Sequence, residues 1–413
     1  MSSIILSGYE VLKSIGCGAY SKVFLVRSSE TGKRYAAKRL IDPCSCVNDE
    51  AVFAELHLLR SLPRHPNISF VCDYVLENNT MTLIMELMDM NLYQYIANRK
   101  RPLSENRVRK MMFQIIQALD YLHANGIFHR DVKPENILVN LSSGLMGSKE
   151  MLQLADFGSA VRMKDGPPFT IYIATRWYRA PECMLSLGYY GPKIDVWAAG
   201  CVFVELLTLN PLFQGESELQ MLDEIHSLLG SPSQTTLDKF RPLNTCNLGF
   251  PKRKPMEMQQ RLPLMHAYGI DLLKRMLTYL PEQRISAKKM AHHIYFENLW
   301  KHKKVSKFSL STQTLCFLTD DPSVPANGRS ISRSSCDCNV TQKLLPEVRI
   351  PSPLSVCSNN TFHYVTAEEE KNVRNRQRER MWNMNRGAFE RQNYMLEARR
   401  KQQSYNRAGL KKE

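Results

Sequence analysis

Apolar and polar residues alternate along the opening of the chain. In YEVLKSIGCGAYSKVFLVRS the alternation predicts two strands around a glycine-bearing turn, and KRYAAKRL continues the pattern as a third strand. Asp49 to Leu62 reads as a helix, followed by strands near 68–77 and 81–87. After that the spacing becomes helical. Val108, Met111, Met112, Ile115, Leu119 and Leu122 share one helical face behind Ser104, a suitable N-cap, and Gly126 is a natural stop. Further helices are predicted near 194–209, 216–229, 270–280 and 286–292. Strands first and helices second predict an α+β fold in two lobes, a small β-rich one over about 9–88 and a larger helical one over about 89–298.

Periodicity is lost beyond residue 305, so 299–413 are expected to form a mostly disordered tail. Residues 306–360 are rich in Ser, Thr, Asn and Pro, and 371–413 turn basic. This division changes the meaning of the charge. The 413 residues hold 55 Lys and Arg against 40 Asp and Glu, a net +15, which suggests an anionic partner for the whole protein. Thirteen Lys and Arg against four Glu lie in 371–413, so +9 of that charge sits at the end of the chain. It therefore bears on docking or location rather than on catalysis. Two readings of the tail stay open: a basic amphipathic helix that contacts an acidic partner, and a solvated arm.

The longest apolar run, Val196 to Val204, is nine residues, less than half of the roughly 20 that span a bilayer, so no transmembrane segment is expected. Eleven cysteines without a C-x-x-C pair or zinc spacing read as free thiols in a reducing compartment, and a cytoplasmic location is expected.

Chemistry enters at Ile15-Gly16-Cys17-Gly18-Ala19-Tyr20-Ser21-Lys22-Val23. Glycines between strands let backbone amides approach phosphate oxygens, although alone this is an ordinary hairpin turn. Lys38 closes the next strand, placing a cation within reach of α/β-phosphates, and Glu55 in the following helix is its natural partner. The decisive stretch is His129-Arg130-Asp131-Val132-Lys133-Pro134-Glu135-Asn136. An Asp to accept a hydroxyl proton, a Lys for the transferred phosphoryl group and an Asn for a metal ion form a phosphoryl-transfer set. Asp156-Phe157-Gly158, whose carboxylate would hold Mg²⁺, and Ala180-Pro181-Glu182 follow in order.

In that order and spacing the chain resembles the eukaryotic protein kinases over about residues 9–298. The resemblance implies the two-lobe kinase fold, ATP and Mg²⁺ as cofactors, and transfer to Ser or Thr of protein substrates. It makes Asp131 the catalytic base, Lys133 the γ-phosphate contact, and Asn136 and Asp156 the metal ligands. Ile15, Val23, Ala36 and Leu138 would sandwich the adenine, with Met85 as gatekeeper and Glu86 to Met88 as the hinge. Asp195 would brace the catalytic loop, and Arg284 would pair with Glu182. Ala174-Thr175-Arg176-Trp177-Tyr178-Arg179-Ala180-Pro181-Glu182 resembles the CMGC group, in which the Arg at 179 shapes a pocket for Pro after the target residue. Thr170-Ile171-Tyr172 resembles that group's T-x-Y activation motif, to be phosphorylated by an upstream kinase, with Arg130, Arg162, Arg176 and Arg179 as partners for the phosphates. The wording of 86–92 and 125–131 is similar to the RCK family, whose members act around cytoplasm, cilium and nucleus.

Ser21 replaces the third glycine of the phosphate loop, which also suits that family. Three departures mark this chain. Ile171 replaces the acidic residue usual between Thr and Tyr. An enlarged hairpin is expected over 141–150. The helix around Glu55 lacks a cyclin-contacting sequence, so no obligate cyclin is expected. Ser21 and the hairpin are the support for the alternative reading, a pseudokinase scaffold acting through its tail.

Overall fold

The computed structural model describes residues 6–17, 21–40, 50–77, 80–97, 99–144, 147–170, 175–240 and 250–300. Gly18, Ala19, Tyr20, Tyr172 and the whole tail from 301 lie outside the described residues.

The β-branched and aromatic run at the start forms the expected antiparallel strands: β1 (Tyr9–Cys17), β2 (Ser21–Ser28) and β3 (Arg34–Leu40). Helix α1 (Glu50–Arg60) crosses next, and β4 (Val71–Glu77) and β5 (Thr80–Glu86) complete a five-stranded sheet of order β1-β2-β3-β5-β4. Its side chains alternate, as a half-buried sheet requires. Val26, Ala37 and Ile84 form a small core on one face, while Met81, Leu83 and Met85 join the main core.

The second lobe opens with β6 (Met90–Asn91), α2 (Leu92–Ala97) and α3 (Glu105–Ala124). Ser104 stands at the N-cap position of α3, yet its side chain makes no capping hydrogen bond. The expected apolar face of α3 is buried, and Gly126 follows its end at φ +70°. Strands β7 (Ile127–Phe128), β8 (Ile137–Gly144), β9 (Gly147–Leu154) and β10 (Val161–Arg162) then frame the loops that carry the polar motifs. The enlarged hairpin is an unbroken ladder, β8 pairing with β9 from Ile137↔Leu154 to Gly144↔Gly147. Glu150 in β9 ties it to the lobe, accepting from Tyr95 Oη at 2.8 Å and Arg107 Nε at 2.6 Å.

The helical part comprises α4 (Pro181–Leu185), α5 (Lys193–Thr208), α6 (Glu218–Leu229), α7 (Gln234–Leu237), α8 (Met258–Arg261), α9 (Ala267–Met276) and α10 (Ala287–Ala291). Helix α5 accounts for the long apolar run: every residue from Ile194 to Leu206 is buried, so it is apolar all round because protein surrounds it. Gly200 lets α9 approach, since a Cβ there would sit 2.9 Å from Leu277 Cδ2. No helix among the described residues is long and apolar enough to cross a membrane. Among the described cysteines, Cys17 and Cys72 are exposed and Cys183 and Cys201 buried, and none is joined in a disulfide.

Candidate active site

The register of the first sheet sets one side of the cleft. Lys38 pairs with Val23 across β2 and with Leu83 across β5, so its side chain leaves the sheet toward α1. There Nζ donates to both oxygens of Glu55, at 2.9 and 2.8 Å, and to Asp156 Oδ1 at 2.8 Å. Burial by itself would lower the Lys38 ammonium, but the charges of Glu55 and Asp156 outweigh it and hold the pKa above its usual value. Burial likewise pushes the Asp156 carboxyl up, and the Lys38 charge more than reverses this, keeping it anionic. Glu55 also accepts from Phe157 N at 3.1 Å, so one buried carboxylate locks the strand, the helix and the loop together.

The second cluster surrounds Asp131. Its Oδ2 accepts from Lys133 Nζ at 2.7 Å and Asn136 Nδ2 at 2.9 Å, and its Oδ1 accepts from Thr175 N at 3.1 Å. Lys133 also donates to Thr175 Oγ1 at 2.8 Å. Asn136 makes a second bond to the Asp131 carbonyl at 2.9 Å, which sets the amide so that Oδ1 is its acceptor end. In the sequence Thr175 is one residue of the stretch Ala174 to Glu182. Nothing in its neighbours announces that it closes the Asp131 cage, because the contact spans 44 positions.

This loop is held in a conformation it would not choose. Arg130 and Asp156 sit at φ 70° and 64°, the left-handed region that costs a residue other than glycine about 1–2 kcal/mol. Asp195, at the first turn of α5 and 1% exposed, offsets the cost by accepting from His129 N and Arg130 N, both at 2.8 Å. His123 Nε2 lies 2.9 Å from the same carboxylate. His129 Nδ1 accepts from Asp131 N at 3.2 Å, so its proton is on Nε2, 3.0 Å from the Ala155 carbonyl. The buried ring thereby links the Asp131 and Asp156 loops.

Of the other expected residues, Ala36 and Met85 are register partners, and Val23 lies opposite Gly16. Leu138 faces Gln153 in the β8–β9 ladder, and Gln153 Nε2 reaches Glu86 Oε2 at 3.4 Å. Ile15 is exposed at the edge of β1, and Met88 is partly buried beyond β5.

The protein kinase domain family model matches residues 9–296. The chain belongs to the protein kinase family. It is 37% identical to the MAPK/MAK/MRK overlapping kinase of Homo sapiens over 322 residues, 78% of this chain and 74% of that protein. The Mus musculus protein of the same name is 38% identical over 317 residues, 74% of each chain. The serine/threonine-protein kinase MAK of Mus musculus is 34% identical over 293 residues, 71% of this chain and 46% of that protein. These matches bear out the resemblance to the RCK family of the CMGC group, and the protein is a serine/threonine kinase.

In this kinase residues 175–182 run on from the Thr175 contact with Asp131. Arg179 Nη1 reaches Glu218 Oε1 at 3.1 Å and Arg176 donates to the Glu216 carbonyl, tying this segment to α6. Arg162 instead donates to Ser61 Oγ at 2.9 Å. Glu182 and Arg284, 1% exposed each, form a bidentate pair at 2.6 and 2.9 Å. The family implies ATP and a divalent cation, and the residues present fit both. Asp156 is half-exposed with its Oδ1 accepting from Lys38, and the Asn136 amide oxygen is that side chain's acceptor end. Two hard oxygen donors of this kind suit Mg²⁺, which completes its shell from phosphates and water. Among the described residues no group of three or more His, Cys, Asp or Glu forms a closed metal cage.

Proposed function

We propose that the kinase phosphorylates Ser or Thr followed by Pro, with Asp131 as base, and that phosphates on Thr170 and Tyr172 raise its activity. The observation that carries the first part is the Asp131 cage, in which three donors orient one carboxylate. When bound, Mg–ATP supplies the γ-phosphoryl group and the metal charge that offsets its oxygens. Lys38 holds the α/β-phosphates and is itself held by Glu55. Asn136 and Asp156 hold the metal. Ile15, Val23, Ala36 and Leu138 enclose the adenine, and Glu86 and Met88 meet its edge. Gly16, Cys17, Ser21 and Lys22 border the phosphate-binding stretch, whose Gly18, Ala19 and Tyr20 lie outside the described residues. Asp131 orients the substrate hydroxyl and takes its proton, while Lys133 sits where it can follow charge onto the transferred group. Little bond-making falls to the protein, so positioning and electrostatics carry the acceleration.

Arg179, drawn toward Glu218, supports a proline-shaped pocket behind the target residue. The Glu55–Lys38 contact, made within one chain, supports activity without a cyclin. The basic tail is assigned to an acidic partner and the protein to the cytoplasm, with cilium and nucleus as further sites. The test pairs Asp131→Asn with a positional peptide library. Phosphotransfer should fall by roughly 10²–10⁴-fold with ATP affinity retained, and the parent should select Pro at +1. A variant as fast as the parent removes Asp131 from its role; a flat +1 profile removes the proline claim.

A further inference from the structure

The activation segment rests on a seat that the linear motifs do not reveal. Phe169 N donates to the Gly188 carbonyl at 2.8 Å, and the approach is so close that a Cβ on Gly188, at φ +91°, would lie 2.2 Å from the Phe169 carbonyl. The Phe169 ring packs edge-on to Phe128 at 5.2 Å between centroids and against Tyr190 at 5.4 Å. Tyr190 is buried, and its hydroxyl donates to the backbone carbonyl of Thr170 at 2.6 Å. The same hydroxyl accepts from Arg130 Nη1 at 3.2 Å, while Arg130 Nε donates to the Ser159 carbonyl. Arg130 immediately precedes Asp131. One phenol therefore joins the activation segment to the catalytic loop.

We propose that Tyr190 is a positioning residue for phosphotransfer, its hydroxyl coupling the Thr170 backbone to Arg130 so that the substrate-side segment stays seated whatever the Thr170 side chain carries. Burial holds the phenol well above its ordinary pKa, so it remains a donor across the working range of pH. The contact is to a carbonyl, so replacing the Thr170 side chain leaves it intact. A phosphate on Thr170 would reach toward an Arg130 that already has a neutral partner. The backbone at Phe169 and Thr170 would then be held beforehand. This deepens the assignment of Thr170 as a regulatory site, and the two are tested separately.

The experiment places Tyr190→Phe in the full chain on a Thr170→Ala background, where no phosphate can form at that position. Phenylalanine keeps the ring packing and removes only the hydroxyl. The kcat/KM for a peptide substrate should fall by on the order of tenfold, as expected for losing a hydrogen bond to a charged group. KM for ATP should not change, and amide exchange at Phe169 should accelerate. An unchanged kcat/KM overturns the proposal. So does a loss shared by KM for ATP and by thermal stability, because that pattern marks general loosening. Comparing Thr170→Ala with the parent tests the regulatory assignment by itself, and equal activity there would leave the Tyr190 result readable.

Discussion

Asp195→Asn removes one charge and almost no volume at the brace beneath the catalytic loop. The carboxylate accepts from two backbone N–H groups at 2.8 Å, one on each oxygen, and has His123 Nε2 at 2.9 Å. Asparagine offers one acceptor oxygen, so one buried N–H must face another N–H. An unsatisfied buried donor costs about 1–3 kcal/mol, and the surviving bond drops from charge-assisted to ordinary strength, roughly 1 kcal/mol less. Adding the lost His123 contact, the variant should be about 3–5 kcal/mol less stable in urea unfolding at neutral pH. Burial alone would raise the Asp195 carboxyl, but the His123 hydrogen bond and the backbone donor of His129 reverse that and hold it below the usual range. Its contribution is therefore present above the ordinary carboxylate pKa and lost as pH falls through the lower folded value. The gap between parent and variant should accordingly close on acidification below about pH 4. Arg130 would lose its anchor in the left-handed region, displacing Asp131. An error near 1 Å costs about 10²-fold, so kcat should fall roughly 10- to 100-fold with KM for ATP held, because Lys38 is anchored by Glu55 rather than by Asp195. A variant within about 1 kcal/mol and twofold in kcat of the parent would refute the account of the brace.

Two further outcomes follow from buried charges. Burial pushes the Glu205 carboxyl up to about 7 even though Tyr178 Oη donates to it at 2.8 Å. A raised folded pKa stabilises below the unfolded value and loses that effect as pH rises, so the parent should lose stability between pH 4.5 and about 7. Glu205→Gln should lack this fall; chemical unfolding at several pH values that gave parallel curves would contradict it. Arg284 also donates to the carbonyls of Thr278, Lys193 and Tyr279 and lies 5.1 Å over the Trp197 ring. Arg284→Met should cost about 3–5 kcal/mol by stranding Glu182, and adding Glu182→Met should recover part of that loss. Strict additivity in a denaturation cycle would show that the two charges do not act as a pair.

Much of the site was legible because its chemistry lies in short runs. Asp131, Lys133 and Asn136 fall within six residues, and a carboxylate, an ammonium and an amide so close together have few structural reasons to coexist. Both lobes were legible from period, since strands bury alternate residues and helices bury a stripe. Ser104 shows the limit of local rules, standing at its cap position without bonding. The hairpin at 141–150 was expected from spacing, but its anchoring by Tyr95 and Arg107 was not. Tyr190 and Glu205 were missed altogether, a tyrosine and a glutamate among ordinary neighbours.

By itself the sequence determined the residue types of the candidate phosphoryl-transfer site, the order of strands and helices, and the concentration of basic charge in 371–413. Only the tertiary structure decided that Thr175 closes the Asp131 cage, that Asp195 holds Arg130 at positive φ, and that one Tyr190 hydroxyl spans Thr170 and Arg130. Local patterns report which groups lie near in the chain. These contacts join groups 20 to 65 positions apart, and burial within the packed lobe gives each one its strength.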